Sequence, residues 1–354
     1  MTRRRLLRGI GWTALALGAV LVGAPVVSRE VRFVYRGGWE LARLQWRARP
    51  IADVLTDTTL DAITRASLAL TLEARTYAVD ALGLEAGDSF TRFADVGRDT
   101  LVLVLSASPH DTLAAYTWWF PITGRVPYHG YYSRRTAEQA AGRLRERGLD
   151  TYLRPAPAFS TLGWLPDPLL STSITPGPWI AVTVMHELAH NTVWFPGEVV
   201  FSESLASLVG YRGAEAFFRA RGDTVSADAM GRAWAQSRAT SRIQARLVGD
   251  LRVAFADGRA AAERDSLRSA AFAAADSSLA AAGSGGSGAL RIAIDEQNNA
   301  AVIAAGLYHG DLDGLERLFQ ACGADIRRVL VAVEGRGDGP CLAVARELVP
   351  GNGA

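Results

Sequence analysis

The chain has 354 residues, of which 49% are hydrophobic, 8% aromatic and 21% charged, with 35 Gly and 14 Pro in no regular period. Such a chain is globular and long enough to bury a large core; wholesale disorder, collagen and, with only 2 Cys, a disulfide scaffold are excluded. The net charge of +2, from 38 basic against 36 acidic residues, gives no electrostatic case for nucleic acid, and no basic stripe is interleaved with aromatics. Lysine is absent, so lysine-based catalysis is excluded as well.

Arg3, Arg4, Arg5 and Arg8 precede an apolar stretch over 10–27, and charge resumes at Arg29. A basic region followed by a hydrophobic segment addresses a chain to a membrane. The stretch lies between a long signal peptide and a short spanning helix, and the arginines resemble a twin-arginine export signal. Pro25 after Val22-Gly23-Ala24 disfavours cleavage. The expectation is an anchor over 1–28 with its basic end inside and the body at 29–354 outside, or a secreted chain if the signal is cut.

Residues 31–86 carry a helical apolar period and predict two or three helices, punctuated by Pro50 and Asp57. The all-apolar run 101–105 predicts a buried strand. The aromatic-rich segments 116–120 and 126–132 predict two more, and 151–154 another. Between them, 134–147 reads as an amphipathic helix closed by Gly148. Six prolines between 155 and 178 predict loops. Beyond them the chain reads as helical to its end, interrupted by the linker Gly283-Ser284-Gly285-Gly286-Ser287-Gly288. Cys322 and Cys341, 19 residues apart, can pair in an oxidising compartment or sit unpaired in the core. The expected layout is one body with helices over 29–95, an α+β part over 96–178, and helices with a metal site over 179–354.

Chemistry concentrates in a helix predicted over 180–194, with Pro178 at its first turn. It contains His186-Glu187-Leu188-Ala189-His190. Two His four apart share a helical face and can reach one cation, and Glu187 beside them can accept a proton from activated water. Phe195-Pro196-Gly197 breaks the helix, and a second one is predicted over 198–210. A tight turn makes the two antiparallel, which can swing Glu203 back to face His186 and His190. Two His and one carboxylate around Zn2+ leave a fourth position open, as in catalytic zinc sites. Glu198 is the rival third ligand, but it lies nearer the turn. The metzincin pattern fails because Val193 and Pro196 stand where it needs Gly and His. A buried His pair satisfied by a carboxylate without metal is the plain structural alternative. A hydrolase of this kind needs one more donor for the oxyanion. Tyr308 and His309 are the first candidates and Tyr211 the second. Asn298 and Asn299 either orient a ligand or cap a helix.

The chain resembles the aminopeptidases of bacterial envelopes, a gluzincin-type metallopeptidase family. The resemblance is carried by Phe93-Ala94-Asp95-Val96-Gly97-Arg98, Tyr128-His129-Gly130-Tyr131-Tyr132, Ala158-Phe159-Ser160-Thr161-Leu162-Gly163-Trp164 and Asp167-Pro168-Leu169-Leu170-Ser171-Thr172. It continues through the two-His motif and Ser202-Glu203-Ser204-Leu205-Ala206. It implies an α+β, zincin-like fold, mainly helical, with a small mixed sheet before the two-His helix. It also implies zinc on His186, His190 and Glu203, Glu187 as catalytic base, a peptide substrate, and an extracytoplasmic catalytic body on the inner membrane. The chain departs from the family in lacking an N-terminal lipid-attachment Cys. It has Trp119 and Arg125 near where members carry Cys, and Gly210 where an acidic residue is common. The Gly-x-Met-x-Asn segment by which large zinc aminopeptidases grip an α-amine is absent. Residues 159–164 can pair with a substrate backbone or form a proline-stiffened loop. A degenerate binding module of the same fold and an amidase acting on cell-wall peptides are the alternative functions.

Overall fold

The computed structural model describes residues 29–120, 124–156, 166–283 and 288–350. The apolar N-terminal stretch, residues 159–164 and most of the Gly/Ser linker lie outside the described residues. Among the described residues no helix is long and apolar enough to cross a membrane. Helices hold 61% of the structure and the strands form small sheets, an α+β arrangement.

The first part contains α1 (Arg29–Arg47), α2 (Ile51–Val54) and α3 (Ala62–Asp80), with short strands β1 (Arg49–Pro50) and β2 (Arg92–Ala94). Asp57 accepts the Thr59 amide at 3.0 Å, the turn that separates α2 from α3. Asp61 then caps α3 by accepting the Thr64 amide.

The middle part holds β3 (Val102–Pro109), β4 (Trp118–Phe120), β5 (Gly124–Val126), β6 (His129–Tyr131), α4 (Arg134–Arg145), β7 (Leu149–Ala156) and β8 (Leu169–Leu170). One mixed sheet was expected, but among the described residues the strands form three small sheets. β6-β3-β7 is antiparallel. β1-β2-β8 is mixed, with β2 and β8 parallel, and β4-β5 is a hairpin. The segment expected as one strand over 126–132 is split at Pro127, which has no amide to give a ladder. β3 reads as a continuous apolar run because both its faces are covered, one by α4 and the other by α10 (Asn299–Gly306).

The last part is helical: α5 (Trp179–Thr192), α6 (Val199–Ala220), α7 (Thr224–Ala254), α8 (Ala261–Ala281), α9 (Gly288–Asp295), α10, α11 (Leu312–Ala321), α12 (Ile326–Val333) and α13 (Gly339–Leu348). Ile180, Val184, Met185 and Leu188 bury α5 against Leu68 of α3 and Leu205 and Leu208 of α6. Each such side chain contributes about 1.5–3 kcal/mol. α5 and α6 have the most extensive contact of any two elements. Contrary to expectation, α6 continues past Gly210 to Ala220. Gly210 serves there as a close-approach position rather than a stop. A Cβ on it would lie 3.0 Å from the Val182 carbonyl oxygen and 3.3 Å from the His186 Cβ.

Behind α6, Glu316 of α11 accepts hydrogen bonds from Arg212 at 2.6 Å, Trp234 Nε1 at 2.7 Å and Gln320 at 2.8 Å. This buried network fixes α6 to α7 and α11. Cys322 and Cys341 form a disulfide joining the end of α11 to α13. Asn298 and Asn299 are structural: Asn298 caps α10, while Asn299 is buried and donates to the Pro109 and His110 carbonyls at 3.1 and 3.0 Å.

Candidate metal centre

α5 ends where Val193 turns extended, and the link to α6 closes on itself. Gly197 has φ +85°, a left-handed conformation that suits glycine, and Ser202 Oγ accepts the Phe195 amide at 3.2 Å. The reversal sets α6 antiparallel to α5, as the sequence implied. Glu203 Oε2 then lies 3.3 Å from His186 Nε2 and 3.7 Å from His190 Nε2. Glu198 occupies the N-cap position of α6 without a side-chain capping bond, is exposed, and is not part of this cluster.

The three residues fit a cation. Their ligand atoms all lie within 4.8 Å of one another. Donors bound to one tetrahedral zinc at about 2.0–2.1 Å stand roughly 3.3 Å apart. The observed 3.3 and 3.7 Å are close to that spacing and long for ordinary hydrogen bonds. Burial works to raise the Glu203 pKa, but the two facing imidazoles prevail and bring it down to about 2. The carboxylate is therefore ionised, the form in which it ligates. Burial works to lower the His186 pKa, yet the contact with Glu203 and the charges of Glu187 and Glu203 raise it overall. The His186 and His190 rings stand nearly perpendicular, at 88°, and Trp194 packs edge-on against His190.

A cavity of about 740 Å³ opens onto the cluster, lined on one side by His186, Glu187, Glu203, Tyr211 and Tyr308. Glu187 thus faces the same space as the ligands. Burial pushes its pKa up, which suits a carboxylate that takes a proton and returns it. The structure separates the adjacent pair Tyr308 and His309. Tyr308 lines the cavity with its phenol pKa pushed up to about 12, chiefly by burial and then by Glu203. His309 does not line it; burial lowers its pKa and its Nδ1 is buried without a hydrogen-bond partner. The turn that makes this choice is pinned by the Gly310 amide, which donates to Ser204 Oγ at 3.1 Å, one residue along α6 from Glu203. Tyr211, the second candidate, also faces the cavity.

Two lining residues escaped the sequence reading as site residues. Arg154 reaches the cavity through the pairing of β7 with β3, and Tyr128 stands just before β6; neither position carries a local sequence signal for a site. The opposite wall is largely apolar, from Leu41 and Leu44 of α1 and from Leu101, Val102 and Val104, with Arg154 beside Val104.

Fold and site thus define an α+β protein, mostly helical, with a His/His/Glu cluster able to bind a metal ion at the floor of a cavity. The family model described as "Putative aminopeptidase" matches residues 32–342, and the chain belongs to that family. Membership supports peptide hydrolysis at a coarse level. No curated protein and no solved structure matches the chain.

Proposed function

We propose that the chain is a zinc-dependent peptidase of the gluzincin type, with a zincin-like catalytic body, acting as an aminopeptidase. The observation that carries this reading is the convergence of His186, His190 and Glu203 beside Glu187 in one cavity. Two imidazoles and one carboxylate are the donor set that catalytic zinc takes while keeping a position open. A zinc ion held by these three residues supplies Lewis acidity, which brings the pKa of water to about 7. Glu187 takes the proton of the attacking water on its carboxylate and delivers it to the departing amine nitrogen. Tyr308, rather than His309, donates its phenol hydrogen to the oxyanion. With a pKa of about 12 it remains a protonated donor throughout the neutral range. The apolar wall of Leu41, Leu44 and Val102 receives a substrate side chain.

The basic and apolar N-terminus supports a membrane tether, and the Cys322–Cys341 disulfide supports an oxidising compartment outside the cytoplasm. The functional test is hydrolysis of an unbiased peptide library by the purified zinc-loaded chain and by its Glu187→Gln variant. Single residues released from peptide N-termini by the parent, and lost in the variant, are expected. Equal turnover by both proteins, or products cut only in mid-chain, would contradict the proposal.

A further inference from the structure

The cavity wall facing the metal ligands contains a cation without a counter-ion. Arg154 sits on β7 opposite Val104 of β3, so its backbone is held in the antiparallel sheet. Its side chain lines the same cavity as His186, Glu187 and Glu203. Among the described residues it makes no ion pair, and its Nε is buried with no hydrogen-bond partner. Two other buried or half-buried arginines do have carboxylate partners, although the Arg268 Nε is likewise unpartnered. Arg212 pairs with Glu316 and Glu215, and Arg268 lies 3.5 Å from Asp150. Of the three acids that line the cavity, none pairs with Arg154, and Glu187 is the proposed base. Glu40 faces Arg43 and Arg98 at 3.5 and 3.4 Å, while Glu203 is shared by the two imidazoles. The Arg154 guanidinium carbon stands 5.7 Å from the Tyr308 ring centroid. Arg154 also hydrogen-bonds the Tyr308 phenol, which ties the planar fork to that ring and leaves its other donors without a protein anion.

A half-buried guanidinium without an anion is under-satisfied, and the fork matches a carboxylate in two parallel hydrogen bonds. The tyrosine that it contacts is the proposed oxyanion donor. We propose that Arg154 is the anchor for a carboxylate of the substrate, so that the enzyme prefers short peptides with a free C-terminus, or peptides with an acidic side chain, close to the scissile bond. This rests on the peptidase reading of the site. A cavity of about 740 Å³ has the size of a small-molecule site and holds a peptide of a few residues with its reacting carbonyl and its carboxylate together. Arg154 is then a specificity residue that sets which peptides are held, while Glu187 and Tyr308 act on the reacting atoms.

The test is calorimetric binding to the zinc-loaded Glu187→Gln chain, which separates binding from turnover. The probes are trialanine as the free acid and as its C-terminal amide, together with alanyl-glutamyl-alanine amide and its glutamine counterpart. The first pair reports a C-terminal carboxylate and the second a side-chain one. In at least one pair the acid is expected to bind roughly 10- to 100-fold tighter than the neutral form. Adding Arg154→Met should erase that preference and leave binding of the neutral peptide within about threefold. Equal binding of acid and neutral forms would overturn the proposal, as would a preference that survives Arg154→Met, or no binding of any probe. Equal weakening of acid and neutral forms by Arg154→Met would assign Arg154 a structural role under Tyr308 and also overturn it. Should Arg154→Met not fold, Arg154→Lys, which keeps the charge and loses the fork, is expected to reduce the preference; an undiminished preference would count against the proposal. Turnover keeps the two readings apart. Hydrolysis by the parent chain without acid preference removes the role of Arg154 alone. Acid-selective binding without hydrolysis removes the peptidase reading alone.

Discussion

Replacing Gly210 by Ala probes how the α5–α6 crossing sets the ligand geometry. The added Cβ would meet the Val182 carbonyl oxygen at 3.0 Å, Val182 Cγ1 at 3.2 Å and the His186 Cβ at 3.3 Å. Comfortable contact lies near 3.5–4.0 Å, so α6 must move back by roughly 0.3–0.5 Å. The carbonyl belongs to the α5 backbone and cannot swing aside as a side-chain tip can. Alanine favours a helix interior over glycine by about 1 kcal/mol, while overpacking costs about 1–3 kcal/mol. The net loss of stability is therefore small, about 0–2 kcal/mol. The metal is more demanding, because ligand distances tolerate only about 0.2 Å. Glu203 lies two turns along the same rigid helix and moves with it, so zinc affinity should fall roughly 10- to 100-fold. Gly213→Ala is the control. Its Cβ meets Leu82 Cδ1 at 2.8 Å and Met185 Sδ at 2.9 Å, the ends of flexible side chains that can turn away. Chelator competition for zinc, with thermal unfolding by circular dichroism alongside, measures both effects. Zinc affinity of the Gly210→Ala variant within twofold of the parent, or a larger loss in Gly213→Ala, would refute the reasoning.

Tyr308→Phe removes the proposed oxyanion donor and should lower kcat about 10²–10³-fold with a smaller change in KM, whereas His309→Gln should stay within about threefold; steady-state kinetics that reverse this order would exchange their roles. Glu316→Gln removes one of the two carboxylates that face Arg212, which keeps Glu215 at 2.7 Å, and should cost about 1–3 kcal/mol in urea unfolding. Burial works to raise the Glu316 pKa, but its bonds from Gln320, Trp234 and Arg212 lower it overall. A depressed carboxylate pKa gives stability that is complete above the unfolded value and lost as pH falls below it. The deficit of the variant should therefore shrink in acid, and a deficit that grows there would be inconsistent with the network. Replacing both Cys322 and Cys341 by Ser opens a loop of about 20 residues and should lower unfolding stability by about 3 kcal/mol; a change below about 1 kcal/mol would show that the disulfide constrains little.

The His186/His190/Glu203 cluster was legible in the sequence because its geometry follows from helix spacing and one tight break. The spacing of His186 and His190 fixes their shared helix face, and the Phe195-Pro196-Gly197 break returns α6 along α5. The end of α6 was misread, since a glycine pattern cannot tell a stop from a position where another helix comes close. The sheets divided at Pro127 in a way that propensity alone did not weigh. Tyr308 and His309 are neighbours in sequence, and the choice between them depends on a hydrogen bond from Gly310 to a serine on a distant helix. Arg154 gave no local signal because long-range strand pairing brings it to the cavity, and Tyr128, just before β6, gave none either. The Cys322–Cys341 pairing was open for the same reason, because spacing does not set the distance between two helix ends.

The most direct measurement is the metal content of the purified chain, by mass spectrometry after exposure to zinc and removal of loose ions, beside that of Glu203→Ala. Stoichiometric zinc in the parent and less than about a tenth of that in the variant is predicted. A parent chain without zinc, or a Glu203→Ala chain holding as much as the parent, would contradict a cation shared between α5 and α6.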